Sequence, residues 1–359
     1  MQGRWLKLFY VLYDEYTVYM TYTVRQIEQP ELWEQFVLSQ PFTLFVQSYH
    51  YGQFYESLGE TWWIVGIFDE HNKLVGGSLV LSTHAKRGNF LYLPYGPILD
   101  FTHEDLFIHF LKYLRHFAHE QGYDFIRLSP FIEDSSQVQS FVTKAKCRPA
   151  PMHILAENTW MLDISLPAPE LLAGMKKKHR NLVSRSLHEG VRVEQRSDMP
   201  AVKEFSLLLD VTVKRHQFHR FDEAYIEKEF SVFSEYAQVF HAYLPDGTLD
   251  SSAIIIFYGS MACYRHGASL GQDKRLPTSY LVQWQAILEA QKRGMKWYNF
   301  WGIAPESAYK NHPFHGITHF KTGFGGFPKD LLHCQDIPIS SRYWMNWFVE
   351  EIRRRRRGF

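Results

Sequence analysis

Residues suited to chemistry gather in three places along this 359-residue chain. Between Leu171 and His188 stand Lys176, Lys177, Lys178, His179, Arg180 and Arg185, and no acidic residue lies between Lys176 and His188 to offset them through i,i+4 pairs. Leu171, Leu172, Met175, Leu182, Val183 and Leu187 recur at helical spacing, so the segment predicts one helix with an apolar stripe and a basic face. Such a face is either solvated surface or a phosphate site; the unpaired cations favour phosphate, with Lys177 and Arg180 among its ligands. Tyr264 and His266 alternate with Arg265 on a predicted strand, which places both on one face. An imidazole titrates near neutral pH, so His266 is suited to accept a proton from an amine, while a core tyrosine competes as the reading of Tyr264. Lys321 precedes Gly323, Gly325 and Gly326, which permit close backbone approach to a ligand and equally supply a tight turn.

The elements that must hold these residues follow one plan used twice. Short strands run from Thr61 to Leu93 as a meander, a helix from His103 to Gln121 carries Leu106, Phe107, Phe110, Leu111, Leu114 and Phe117 on one face, and a strand from Tyr123 to Leu128 follows. The second half repeats this with strands Val239 to Leu244, Ser251 to Tyr258 and Met261 to His266, a helix Ser279 to Arg293 closed by Gly294, and a strand Trp297 to Trp301. A meander running into a helix and a further strand predicts an α/β (α+β) fold of two tandem acetyltransferase-like (GNAT) domains, with little residue identity between the copies.

Composition narrows the partners. A net charge of +1 gives no global field for polyanions, so phosphate recognition falls to local clusters. Cys147, Cys263 and Cys334 form no C-x-x-C pair, which argues against a disulfide framework and a zinc site and predicts no metal. Met1 to Tyr22 lacks the apolar core of a signal peptide, and no run reaches the ~18 apolar residues of a membrane span, so a cytoplasmic location is expected. At the other end, Tyr343, Trp344, Trp347 and Phe348 precede Arg353 to Arg357, a composition suited to an anionic membrane surface and equally to tRNA phosphates or a frayed terminus.

Tyr298-Asn299-Phe300-Trp301-Gly302-Ile303 followed by His319-Phe320-Lys321-Thr322-Gly323-Phe324-Gly325-Gly326 resembles the Fem family of peptidoglycan interpeptide-bridge aminoacyltransferases. Leu91 to Asp100, Met175 to Val193 and Tyr280 to Ile287 are similar to further segments of that family, in the same order, across roughly Phe36 to Ile337. The resemblance implies two acetyltransferase-like domains, here without the coiled-coil arm some members carry. It sets a first domain over 24–165, a second over 166–331, and a C-terminal segment 332–352 returning to the first.

The activity implied is attack of an amine of a peptidoglycan precursor, lipid-linked or UDP-linked, on the ester of aminoacyl-tRNA, with no other cofactor. The sequence leaves the oligomeric state open, with a monomer expected. Lys321 matches the family's functional lysine, where its ammonium would stabilise the oxyanion or hold the terminal ribose and phosphate; a structural salt bridge is the competing reading. It is expected in a surface cleft, where removal costs about 1 kcal/mol of stability or less. Arg220 and Tyr225 fall near residues that contact the phosphate-bearing part of the precursor in the family, and Tyr264 on the face that lines its groove. Near Gln53, Asp124 and Ser129 the chain departs from an armless relative that binds a sugar nucleotide, which favours the lipid-linked acceptor. A CoA-dependent N-acyltransferase on the same fold is the main alternative, yet His266 to Arg275 lacks the glycine spacing of a pyrophosphate loop. A non-catalytic precursor- or tRNA-binding relative is the other.

Overall fold

The computed structural model describes residues 22–85, 88–216, 220–273, 275–307, 312 and 314–357. The Met1 to Tyr22 reading therefore lies almost wholly outside the described residues. The chain begins β1 (Thr23–Gln26), α1 (Pro30–Leu38), a 3-10 turn (Phe45–Gln47), α2 (Tyr49–Ser57), β2 (Trp62–Phe68), β3 (Leu74–Ala85), β4 (Gly88–Leu93), α3 (Glu104–Glu120), β5 (Phe125–Leu128), α4 (Ser136–Lys144) and β6 (Arg148–Pro149). It continues β7 (Asn158–Asp163), α5 (Ala168–Gly174), α6 (Lys177–His188), β8 (Arg192–Arg196), α7 (Met199–His216), α8 (Glu223–Val232), β9 (Ala237–Tyr243), β10 (Leu249–Tyr258) and β11 (Met261–Ser269). It ends α9 (Ser279–Lys292), β12 (Trp297–Gly302), α10 (His315–Thr322), β13 (Phe327–Asp330), β14 (Gln335–Pro338) and α11 (Tyr343–Arg357).

Two seven-stranded sheets result, ordered β1-β2-β3-β4-β5-β14-β6 and β13-β7-β12-β11-β10-β9-β8. In each, an antiparallel meander passes through a helix into a parallel strand, β5 beside β4 and β12 beside β11. The lobes are thus two copies of one acetyltransferase-like topology. The longest helix among the described residues, α7, has 18 residues, so they contain no long hairpin arm.

The sheets exchange strands. β7, which a boundary at residue 165 puts in the first domain, pairs with β12 and β13 in the second sheet. β14, near the C-terminus, takes the corresponding place beside β5 in the first. The helix expected over Leu171 to His188 is two helices: Met175 and Lys176 are extended (ψ 150° and 138°) between α5 and α6, directly after Gly174, a poor helix former.

Three cores hold the assembly. The apolar stripe of α3 covers one face of the first sheet, and α9 with α5 and α6 covers one face of the second. The third core is shared: Trp33, Phe45 and Phe54 of the first lobe join Phe205, Phe230, Phe233 and Ile254 of the second, none more than 3% exposed. Each such side chain contributes about 2 kcal/mol by burial, so the lobes meet across a hydrophobic interface that fixes their mutual position.

Candidate functional site

The second sheet opens where β11 and β12 part. They pair at Met261↔Trp297, Ala262↔Tyr298 and Cys263↔Asn299 and no further, while β12 resumes pairing with β7 at Gly302↔Thr159 after an irregularity. At that irregularity Trp301 has φ 64°, a left-handed backbone unusual for a bulky residue, and its N–H donates to the Asn299 side-chain oxygen at 2.7 Å. Lys321, in the last turn of α10, reaches into the opening. Its Nζ donates to the Gly302 carbonyl at 2.6 Å and stands 5.7 Å from the Tyr264 ring centre, so it touches both parted strands.

Lys321 is buried, 6% exposed, where a surface-cleft lysine was expected. No carboxylate forms an ion pair with it among the described residues, which sets aside the salt-bridge reading. Burial lowers its pKa from 10.5 to about 7. At neutral pH the amine is therefore poised between its two forms, and an anion arriving nearby would favour the charged one.

The N-terminus of α6 abuts the helix that carries Lys321. The Lys176 N–H donates to the Gly323 carbonyl at 2.9 Å, and its Nζ approaches the Thr322 hydroxyl at 3.4 Å. His179, wholly buried and kept neutral by that burial, donates Nε2–H to the Phe320 carbonyl at 2.9 Å. Its ring leaves no space for a side chain at 323: a Cβ on Gly323 would lie 2.0 Å from it. Close approach of helix to helix is thus what this glycine serves.

Arg180, expected to bind phosphate, donates instead to the Ala173 and Met175 carbonyls at 2.9 and 3.4 Å and closes the end of α5. Lys177 and Lys178 remain exposed. α6 has no acidic residue in its first turn and no side-chain cap, so three lysines reinforce the positive end of the helix dipole instead of cancelling it.

On the other side of β11 lies a second polar group. Arg265 forks onto Glu229 of α8 with Nε and Nη2 at 3.0 and 2.8 Å from Oε1, and His266 Nε2 lies 2.8 Å from Oε2. Burial would raise the Glu229 carboxyl, but Arg265 and then His266 outweigh it and hold it at about 2. Since a carboxylate only accepts, His266 carries its proton on Nε2; burial keeps its pKa below the ordinary value, and the ring stays neutral.

The expected alternation fails here. β10 pairs Ile254 with His266 and Ile255 with Tyr264, so Arg265 is the extra residue of a β-bulge. Arg265 and His266 consequently share the face that meets Phe221, and Tyr264 turns to the opposite face beside Lys321. His266, expected to share a face with Tyr264, thus lies on the opposite face from Tyr264 and Lys321.

Tyr225, at the start of α8, stacks on Phe221 at 4.2 Å and meets Phe54 of the first lobe edge-on at 4.9 Å. Arg220 pairs with Asp210 at 2.6 Å, and its buried Nη1 has no hydrogen-bond partner among the described residues. The structure thus brings Tyr225 and His266 together through Phe221 and Glu229, and brings Lys321 and Tyr264 together across β11. Trp301 bridges the groups: its ring lies 5.5 Å from the Arg265 guanidinium, and the next residue holds Lys321.

A cavity of about 830 Å³ opens against Gly302, one carbonyl from Lys321. Ala150, Met152, Ile154 and Glu157 from the interlobe segment line it, with Ile303, Phe314, His333, Trp347 and Arg354. Sequence reasoning missed this lining. Pro149 and Pro151 mark the segment as irregular, but nothing local says that it returns to the end of β12. Glu229 gave no signal either, since an isolated glutamate in a helix ordinarily faces water.

A family profile described as the FemAB family matches residues 29–148, 149–251 and 246–350. No curated protein matches the sequence. Among solved structures, a crystal structure of FemX superposes with a TM-score of 0.81 at 16% identity, covering 91% of this chain and 100% of that one. L-PGS from Bacillus licheniformis (TM-score 0.56, 12% identity) covers 90% of this chain and 97% of its own. A tandem GNAT protein of the clavulanic acid biosynthesis pathway (TM-score 0.52, 10% identity) covers 89% and 99%. At these identities the structures agree in fold, and the tandem architecture is common to them. The profile spans nearly the whole chain, through both exchanged strands and the lysine at the strand opening, and the protein belongs to the FemAB family.

Proposed function

We propose that this protein moves an aminoacyl group from the ester of aminoacyl-tRNA onto a stem-peptide amine of a peptidoglycan precursor, with the lipid-linked form as acceptor. The observation that carries the reading is a buried lysine with no counter-ion among the described residues, set where two parallel strands part and one carbonyl from a large cavity. Family membership supports acyl transfer, and the tRNA donor and the lipid-linked acceptor extend that reading.

In the reaction a neutral amine attacks the ester carbonyl, the C–N bond forms, the C–O bond breaks, and one proton passes from nitrogen to the departing ribose oxygen. The negative charge on the tetrahedral oxygen develops beside a lysine that is itself buried. A Lys321 Nζ–H directed there stabilises it strongly, because the ammonium form is favoured as soon as an anion appears. Lys177 and Lys178, exposed at the positive end of α6, suit the phosphates of the RNA. Arg220, whose buried Nη1 has no hydrogen-bond partner among the described residues, and Tyr225 are the candidates for the acceptor side.

Incubation of the protein with radiolabelled aminoacyl-tRNA and either lipid-linked or nucleotide-linked precursor tests this. Label should pass to the lipid-linked acceptor and not in Lys321→Ala. Retention of aminoacyl-tRNA without transfer would identify a binding protein, and transfer from an acyl-CoA instead would identify the other enzyme class.

A further inference from the structure

The C-terminal helix α11 has two faces with different work. Inward, Tyr343 is fully buried, Glu350 takes the Arg127 guanidinium at 2.8 Å, and Trp347, Glu351 and Arg354 form a wall of the cavity. Outward, Trp344, Met345, Phe348 and Ile352 are 47%, 48%, 61% and 37% exposed. Their spacing of one, four and eight residues from Trp344 puts them on one stripe of a 3.6-residue helix. Exposed arginines flank it: Arg342, Arg353, Arg355 and Arg356. Arg355 pairs with Glu351 at 2.8 Å, while Arg342, Arg353 and Arg356 form no ion pair among the described residues. Ile154 and Phe314, 44% and 43% exposed, continue the apolar surface at the cavity lining.

We propose that the outward stripe of α11 with its flanking arginines is a docking surface for an anionic lipid bilayer, which seats the cavity beside the membrane interface. Large apolar side chains between cations match a surface in which acyl chains lie beneath negative headgroups. A second copy of the chain fits poorly, because a two-fold contact on this stripe would set arginines against arginines. RNA would use the arginines but leaves four exposed apolar residues without a purpose. Since Tyr343 and Glu350 fix the inner face to the first lobe, docking orients the whole molecule, not a loose tail.

Sedimentation of the full chain with vesicles tests this. Vesicles of phosphatidylcholine alone are compared with vesicles containing roughly one third phosphatidylglycerol, against wild type, Phe348→Ser with Ile352→Ser, and Arg353→Gln with Arg356→Gln. Wild type should sediment with the anionic vesicles alone and less at high salt. The arginine pair should weaken partition roughly 10- to 30-fold, and the apolar pair on the order of tenfold or more, with unchanged thermal unfolding. Three results overturn the assignment: no binding to anionic vesicles, binding indifferent to both variants, or substitutions that convert a dimer to a monomer or abolish RNA binding while vesicles are ignored. Vesicle binding needs no turnover, so a protein that docks without transferring leaves the surface assigned and refutes the reaction, and one that transfers without docking does the reverse.

Discussion

Replacing Lys321 by methionine should make the protein more stable at neutral pH while abolishing its activity. The lysine's pKa falls from 10.5 to about 7 because burial strips water from the ammonium and no carboxylate replaces it. At 1.36 kcal/mol per pH unit, holding the charged form in that site costs on the order of 5 kcal/mol below pH 7. Methionine keeps most of the stem's packing and removes this cost. It also forfeits the hydrogen bond to the Gly302 carbonyl and leaves that acceptor unpartnered, a loss of about 1 to 3 kcal/mol. The balance is a gain of roughly 2 to 4 kcal/mol for Lys321→Met at pH 7 and below.

The sign with pH is opposite to that of an ion-paired lysine. Between about pH 7 and about 10 the unfolded chain keeps the proton that the folded lysine has shed, so wild-type stability rises with pH through this window. The variant lacks that contribution, and every other titrating group is common to both proteins. Urea unfolding of the pair should therefore show a gap that is widest at or below pH 7 and closes towards pH 10. A gap independent of pH, or a variant less stable at pH 7, would mean that the lysine is hydrated or paired, and the electrostatic argument for its role would fail with it.

Four further outcomes follow from the same geometry. Gly323→Ala should destabilise by about 2 kcal/mol and lower kcat, because its Cβ would strike the His179 ring that fixes α10; calorimetry and steady-state kinetics check both. Glu229→Gln strands Arg265 and should cost about 3 kcal/mol. The wild-type carboxylate, held at about 2, lends stability that is full above its ordinary value of 4.5 and lost as pH falls towards 2; the variant should lack that part of the acid transition. Lys177→Gln with Lys178→Gln should weaken aminoacyl-tRNA binding and reduce the slope of log K against log salt by about 1.5, leaving the acceptor KM unchanged. In free-enzyme kinetics, kcat/KM should decline as pH rises through about 7, where Lys321 loses its proton, and Lys321→Arg should move that decline beyond the measurable range.

Local pattern carried much of the fold. The stripe from Leu106 to Phe117 places α3 within a residue of its ends, and Gly294 closes α9 as expected, because both signals lie inside one helix. What was illegible depends on distant contacts. Alternation along Tyr264, Arg265 and His266 cannot report a bulge that exists only in the pairing of β11 with β10, and no glycine marks it. The burial of Lys321 comes from strands that precede it by many residues, so a lysine beside glycines looks solvent-exposed in sequence. Arg180 reads as a phosphate ligand until the extended Met175 leaves carbonyls at the end of α5 for it to hold. The exchange of β7 and β14 is a matter of which sheet edge is vacant, which short apolar strands do not encode individually.

The two lobes share a topology but not an opening, and for the proposed reaction that difference favours the second lobe. In the first sheet β4 and β5 pair from Phe90↔Phe125 to Leu93↔Leu128, and the ladder continues as Ser129 N–H to Leu93 O and Phe131 N–H to Tyr95 O, each 3.3 Å. Arg127 on β5 is met by Asp336 of β14 at 2.7 Å and by Glu350 of α11 at 2.8 Å, so its charge is answered inside the protein. In the second sheet the matching strands stop after three pairs, and the cation that fills the gap has a carbonyl for company and no carboxylate. A charge already neutralised has nothing left to offer a developing oxyanion, whereas a desolvated amine without a counter-ion gains most when one forms. The zipped lobe instead supplies walls: Phe45 lies against Arg265 and Trp301, and Phe54 against Tyr225, so the opening is braced from the first lobe.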